Sequence, residues 1–131
     1  MENSLRANLI AWLRSDPSLE AINAIEEESP LRASPPRLGI TTSASTDWGT
    51  KDRPGREIRI ALELETRIDE PAADTDILSA LESRVLNLPV FAEGYEIASI
   101  QFLRGRSERR DNNRRGALLE FRFRLFTSLT E

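Results

Sequence analysis

Cysteine and histidine are both absent from this 131-residue chain. Without cysteine there is no disulfide, no thiolate metal site and no thiol nucleophile. Without histidine the commonest general base, the side chain that titrates near neutral pH and the commonest metal ligand are all missing. Carboxylate–magnesium chemistry and a Ser–Lys pair remain formally open. Lysine occurs once, as Lys51, and nothing in the sequence ties it to Ser43 or Ser45. The two absences count against an enzyme without excluding those two chemistries. No apolar run approaches the ~20 residues of a membrane span. The opening Met-Glu-Asn-Ser lacks a basic stretch ahead of an apolar one, so no secretory leader is expected either. The expectation is a soluble protein with no membrane partner, cytoplasmic where it is made.

What is present fits one domain over residues 1–131, with a radius of gyration of about 14 Å if compact. The net charge of −4 conceals an uneven distribution: residues 1–103 carry a balance of −8 and residues 104–131 one of +4. Separated signs let a molecule attract its own copies, acidic face to basic segment, as readily as a polyanion. Arginine outnumbers lysine seventeen to one, a bias to which GC-rich coding alone can lead.

The clearest local pattern lies between Arg56 and Arg67. Ile58, Ile60, Leu62 and Leu64 alternate with Glu57, Arg59, Ala61, Glu63 and Glu65, the period of a strand with one apolar face. Before it, Leu5, Leu9, Trp12 and Leu13 recur at helical spacing behind Asn3 or Ser4 as cap. Asp16-Pro17 ends that helix. A second short helix is expected from Pro17, with Leu19, Ile22 and Ile25 at spacing three, closing on Glu26-Glu27-Glu28. Consecutive carboxylates fan out on a helix, so these three read as a solvated run and not as a metal cluster. Residues 29–37, with three prolines, form an extended connector. A weak strand at 38–44 and a polar loop at 45–55 lead into the first pattern. Glu70-Pro71 marks a helix start, with Asp74 and Asp76 near its positive end and Ile77, Leu78, Leu81, Val85 and Leu88 as its buried stripe. A strand from Tyr95 to about Arg106 follows, with Ala98, Ile100 and Phe102 on one face and Ile97, Ser99, Gln101 and Leu103 on the other. Asp111-Asn112-Asn113 is the turn. The strand Arg115–Ser128 returns with Leu119, Phe121, Phe123 and Leu125 inward. The result is an α+β fold in the order α-(short α)-β-β-α-β-β. A four-stranded, mainly antiparallel sheet carries its helices on one face and ends in a long C-terminal β-hairpin arm.

Two groups of residues stand out as candidate contact sites. Arg104, Arg106, Arg109, Arg110, Arg114 and Arg115 crowd the hairpin tip, with only Glu108 and Asp111 among them. Such an arm can hold a partner subunit, grip phosphates or serve as a charged edge that resists stray strand pairing. No aromatic is interleaved on which bases could stack. The second group is Trp48 with Lys51 and Asp52, a large aromatic in a polar loop, the kind of anchor enriched at interface hot spots. A place in the core is the other reading of Trp48. Trp12, on its helix stripe, reads as core.

At Trp48-Gly49-Thr50-Lys51-Asp52 and Gly55-Arg56-Glu57-Ile58-Arg59-Ile60 the chain resembles the tail-completion (tail terminator) proteins of long-tailed phages and phage-like gene transfer agents. The resemblance continues through Arg104–Asp111 and Gly116–Arg124, and the order of elements agrees. It departs at the longer Glu/Pro-rich connector, residues 26–37. The resemblance implies a non-enzymatic virion protein without catalytic residues, cofactor or metal. It implies a ring of six copies that caps the tail tube, terminates its growth and meets a head-side connector. Its partners would be itself, the tail tube protein and the connector or stopper protein. Touching discs of the size estimated above leave a bore on the order of 36 Å, through which DNA would pass without specific binding. It would reside in the phage or gene transfer agent particle, after assembly in the host bacterial cytoplasm. A head-side neck component and a small nucleic-acid-binding domain using the arginine hairpin are the competing readings.

Overall fold

The computed structural model describes residues 1–28, 32–67 and 71–128, with the side chains of 71–74 left out of the description. The expected Glu70 start, the Asp74 placement and the Ser29–Pro30 part of the connector lie outside the described residues. In chain order the elements are α1 (Glu2–Arg14), a 3-10 turn (Pro17–Leu19), β1 (Ala24–Glu26), β2 (Arg37–Asp47), β3 (Gly55–Arg67), α2 (Pro71–Leu86), β4 (Phe91–Ala92), β5 (Tyr95–Arg110) and β6 (Arg114–Thr127).

The alternation in β3 does what its period requires. Ile58, Ile60, Leu62 and Leu64 are all fully buried, and they meet Phe123, Phe121, Leu119 and Ala117 of β6 in register. The two strands pair antiparallel along their whole length, from Gly55 opposite Phe126 to Arg67 opposite Arg114. Both helices cover this apolar face. From α1 come Leu5, Leu9, Ile10 and Leu13, and from α2 Ile77, Leu81 and Val85, in one continuous core.

The fold is α+β as expected, but the sheet has six strands and not four, in the order β1-β2-β3-β6-β5-β4. The two additions are short edge strands. Three residues of β1 pair parallel with Arg37–Gly39, and two of β4 pair with Tyr95 and Glu96. The segment after Pro17 was expected as a helix and is a single 3-10 turn leading into β1. Asp16 caps the turn through the Ser18 N–H at 3.0 Å. Beyond it the backbone bonds outward: the Asn23 N–H donates to the Pro36 carbonyl at 2.7 Å, and Arg14 Nε to the Ile25 carbonyl at 2.7 Å. Leu19, Ile22 and Ile25 are buried as expected, because a turn followed by a short strand buries the same spacing.

The strict alternation expected in β5 is also corrected. Register shifts at Ala98 and Leu103 set Ile97, Ile100 and Phe102 opposite Leu125, Phe123 and Phe121 on the core side. A bulge residue resets the two-residue phase, so Ala98 is exposed where alternation alone would bury it. The turn is where expected, with left-handed φ of 61° at Asn112 and 59° at Asn113. The hairpin is long but does not stand clear of the sheet, since β3 flanks β6 as far as Arg114.

Replacing Phe123, fully buried opposite Ile58, by alanine is expected to cost about 3–5 kcal/mol in a denaturant titration. Phe91→Ser is expected to change stability by no more than about 0.5 kcal/mol, because Phe91 is 76% exposed.

Candidate functional site

The Trp48 group lies at one end of the β3–β6 ladder and Arg109, Arg110, Arg114 and Arg115 at the other, while Arg104 and Arg106 sit in the rows of Ala61 and Glu63 between them. Twelve residue steps at about 3.4 Å separate those ends by about 40 Å, so the structure does not bring the Trp48 group and the arginine group together.

At one end, the 48–54 loop is closed by Trp48 N–H to the Gly55 carbonyl (3.1 Å) and Thr50 N–H to the Arg53 carbonyl (2.8 Å). Gly55 enters β3 where a Cβ would lie 2.6 Å from the Leu125 carbonyl oxygen. Trp48 is half-buried within its own molecule. Its ring lies 4.8 Å from that of Phe126, with the Arg124 guanidinium 5.4 Å from the Trp48 centroid and Arg53 4.5 Å from the Phe126 centroid. Lys51 and Asp52 are exposed at the loop tip.

At the other end, Arg110 and Arg114 turn inward onto β3. Arg110 reaches Glu63 at 2.8 Å and Glu108 at 3.2 Å. Arg114 reaches Glu65 at 3.1 Å, and Glu65 also holds Arg37 at 2.9 Å. Arg104 pairs with Glu120 at 3.0 Å. Arg115 is half-buried, while Arg106 and Arg109 are exposed. Gly116 makes room for the crossing of Arg110: a Cβ there would lie against the guanidinium. Glu63 and Glu65, on the strand face opposite the apolar one, are therefore the anchors of an ion-pair network, and Glu65 is only 9% exposed. Burial pushes its carboxyl up, but the hydrogen bonds and charges of Arg37 and Arg114 outweigh that and hold it below the ordinary carboxylate value. The Arg110 guanidinium is pushed up, chiefly by its hydrogen bond to Glu63.

The rest of the helix-free sheet face is a lattice of the same kind. Glu57 binds Arg124 at 3.0 Å, with Arg59 at 3.6 Å and Arg122 at 3.9 Å. The Arg124 hydrogen bond holds the Glu57 carboxyl below its ordinary value. Arg122 also donates to Gln101 of β5.

On the helical side, Trp12 proves to be a half-buried clamp. Its Nε1–H donates to the Arg84 carbonyl at 2.8 Å, and the Arg84 guanidinium lies 3.3 Å from the ring centroid while donating to the Trp12 carbonyl at 2.9 Å. Beside it an open groove of about 840 Å³ runs between α1 and the segment carrying Phe91 and Tyr95. Asn8 donates to the Tyr95 hydroxyl there at 2.8 Å. Among the described residues no group of three carboxylates is placed to hold a metal ion, and no helix is long and apolar enough to cross a membrane.

The family model for "Tail completion protein gp17" matches residues 7–127, a span from within α1 to the end of β6. The chain belongs to this family. A solved chain from the "virion of native gene transfer agent (GTA) particle" has the same fold, with a TM-score of 0.76 at 20% identity over 93% of this chain and 94% of that one. No individually curated protein matches the sequence. The residues that carry the resemblance to tail-completion proteins, 48–52, 55–60, 104–111 and 116–124, all lie inside the matched span.

Two expectations follow from the charge network. Glu65 and Glu57 titrate lower in the folded chain than in the unfolded one. Their pairing therefore stabilises the fold fully above the ordinary value of 4.5 and is lost as the pH falls through their lowered values. Denaturation midpoints are expected to be flat from neutral pH to about 5 and to fall below it. Glu65→Gln should flatten that acid limb and cost about 1–3 kcal/mol at neutral pH by leaving Arg37 and Arg114 short of a partner. Gly116→Ala should expel the Arg110 guanidinium at a cost of about 1 kcal/mol or less. Glu63→Gln in that background should then add nothing measurable.

Proposed function

We propose that this chain is a structural, non-enzymatic component of the tail of a phage or phage-like gene transfer agent. It acts as a ring of six copies that caps the tail tube, ends its growth and joins it to the head-side connector. The observation that carries this reading is the tail-completion family match over residues 7–127; the fold shared with a chain of a gene transfer agent virion supports it. Tube protein, connector protein and further copies of the chain are then its partners, and the assembled particle is its place of residence.

The geometry suits such a part. The Trp48 loop with Lys51 and Asp52 stands at one end of the β3–β6 ladder, and Arg109, Arg110, Arg114 and Arg115 at the other. One subunit thus offers two chemically different ends to different neighbours, as a part joining tube to connector must. The competing reading, a nucleic-acid grip, is disfavoured by the ion pairs. Arg104, Arg110 and Arg114 already hold Glu120, Glu63 and Glu65, and phosphate would have to displace those carboxylates. DNA sliding past without being held is compatible with such a surface.

Native mass measurement of the chain, alone and with tube protein, tests the reading. The expected species is near 89 kDa, about six chains of 14.8 kDa, and electron micrographs should place a ring at the neck end of tails. A chain that stays at 14.8 kDa both alone and with tube protein would overturn it. Retention on heparin that vanishes on removing Arg109, Arg110, Arg114 and Arg115 would favour the nucleic-acid reading instead.

A further inference from the structure

Both outer edges of the sheet are partly open. β1 covers β2 only at Arg37–Gly39, and β4 covers β5 only at Tyr95 and Glu96. The Ile97 N–H adds one bond to the Val90 carbonyl. Beyond these, among the described residues, no strand pairs with the outer side of β2 from Ile40 onward or of β5 from Ala98 onward.

The two open stretches lie level with each other across the sheet. Thr46 shares a row with Glu57, Arg124 and Ser99. Ala44 shares one with Arg59, Arg122 and Gln101, and Ser43 one with Ile60, Phe121 and Phe102. Between these rows neither edge strand has a bulge, since the register shifts fall outside them, at Thr41 and at Ala98 and Leu103. Successive neighbours are antiparallel from β2 through β3 and β6 to β5. β5 therefore runs opposite to β2, and a copy set beside the first in the same orientation would present β2 antiparallel to β5.

The composition of these edges is unusual for this protein. Charged residues make up 31% of the chain, yet neither Ile40–Thr46 nor Ile97–Leu103 contains one, and neither contains proline. Exposed edges in natural proteins are normally blunted by charge or proline; these two are not. Their side chains also differ in the complementary sense. The β2 edge is small, Ser-Ala-Ser-Thr over 43–46, whereas β5 carries half-buried Ile100 and Phe102 at the margin of the core. Charge returns just past the ladder with opposite signs. Glu27, 3.6 Å from Arg6, and Glu28 border the Ile40 end of β2, and exposed Arg106 follows the β5 stretch, in the row of Gly39 that an antiparallel neighbour brings to that end.

We infer that the open edge of β5 pairs antiparallel with the open edge of β2 of a second copy of this chain, extending the sheet from subunit to subunit. This rests on the ring reading above, but it assigns the main-chain contact to residues 43–46 and 99–102 and not to the Trp48 loop or the arginine tip.

The absence of native cysteine makes disulfide trapping a clean test. Ala44→Cys and Gln101→Cys, both at exposed positions of one row, are purified separately, mixed and mildly oxidised. Paired edges bring the two Cβ atoms within disulfide reach. The expected product is a cross-linked species of about 30 kDa, two chains of 14.8 kDa, holding one of each variant. It should not form when Ala44→Cys is mixed with Ser79→Cys, an exposed position on α2. Thr46→Cys with Ser99→Cys, one row along, gives a second pair should one variant fail to fold. An unmodified chain that is oligomeric by native mass, with no cross-link in either pair, overturns the edge pairing and leaves the ring standing. A chain monomeric at every concentration and with tube protein overturns both.

Discussion

The interaction on which the rest of this structure depends is the antiparallel ladder between β3 and β6. Thirteen residues of β3 meet β6 without a break in register, and on one face the four alternate pairs from Ile58 to Leu64 are apolar and buried. A one-residue slip would turn Ile58, Ile60, Leu62 and Leu64 to the charged face and bring Glu63 and Glu65 into the core, so the register is held by burial itself. Everything else is placed relative to that ladder. It sets the distance between the Trp48 loop and the arginine tip, decides which face the helices cover, and puts β2 and β5 at matching heights on its two flanks.

The same register explains the charge chemistry on the uncovered face. Rows that bury an apolar pair on one side alternate with rows whose glutamates and arginines lie on the other, and guanidinium geometry lets one arginine serve two carboxylates. Arg110 does so with Glu63 and Glu108, crossing Gly116 to reach them. In the basic segment Arg110 and Arg114 are, in the folded chain, partners for Glu63 and Glu65 of β3, and Arg104 for Glu120 of β6. The opposite balances of residues 1–103 and 104–131 are thus met in part within one molecule. Charge available for other molecules is correspondingly less than the sequence alone implies, and this weakens the case for a polyanion ligand.

Legibility followed the range of the forces involved. The alternation of residues 56–67, the helix beginning at Pro71, the Asp111–Asn113 turn and the inward set of β6 are local signals, and each was readable. The short strands β1 and β4 were not, since two or three residues carry no period of their own; they exist because a neighbouring strand offers them backbone partners. The bulges at Ala98 and Leu103 escaped for a related reason, because a phase reset is visible only against β6. Of the candidate site, the residue types were legible and their partners were not. Nothing near Arg114 in sequence announces Glu65, and nothing near Trp48 announces Phe126.

The difference between the two open edges bears on what kind of assembly this fold can make. An edge of small hydroxyl and methyl side chains does not complement itself, nor does one bearing Ile100 and Phe102, so a two-fold pairing of like edges would waste the fit that the unlike pair offers. Joining unlike edges is a heterologous contact, and heterologous contacts either close into a ring or run on as a helix according to the rotation they impose. In a continued sheet that rotation is not free. Adjacent strands turn by roughly −20 to −25°, and bulges bend the strands that carry them. The bulges at Thr41, Ala98 and Leu103 flank both edges, where they set the angle at which the next copy would arrive. On this view the copy number belongs to the twist of the sheet and the placement of those three residues, more than to any salt bridge at the rim.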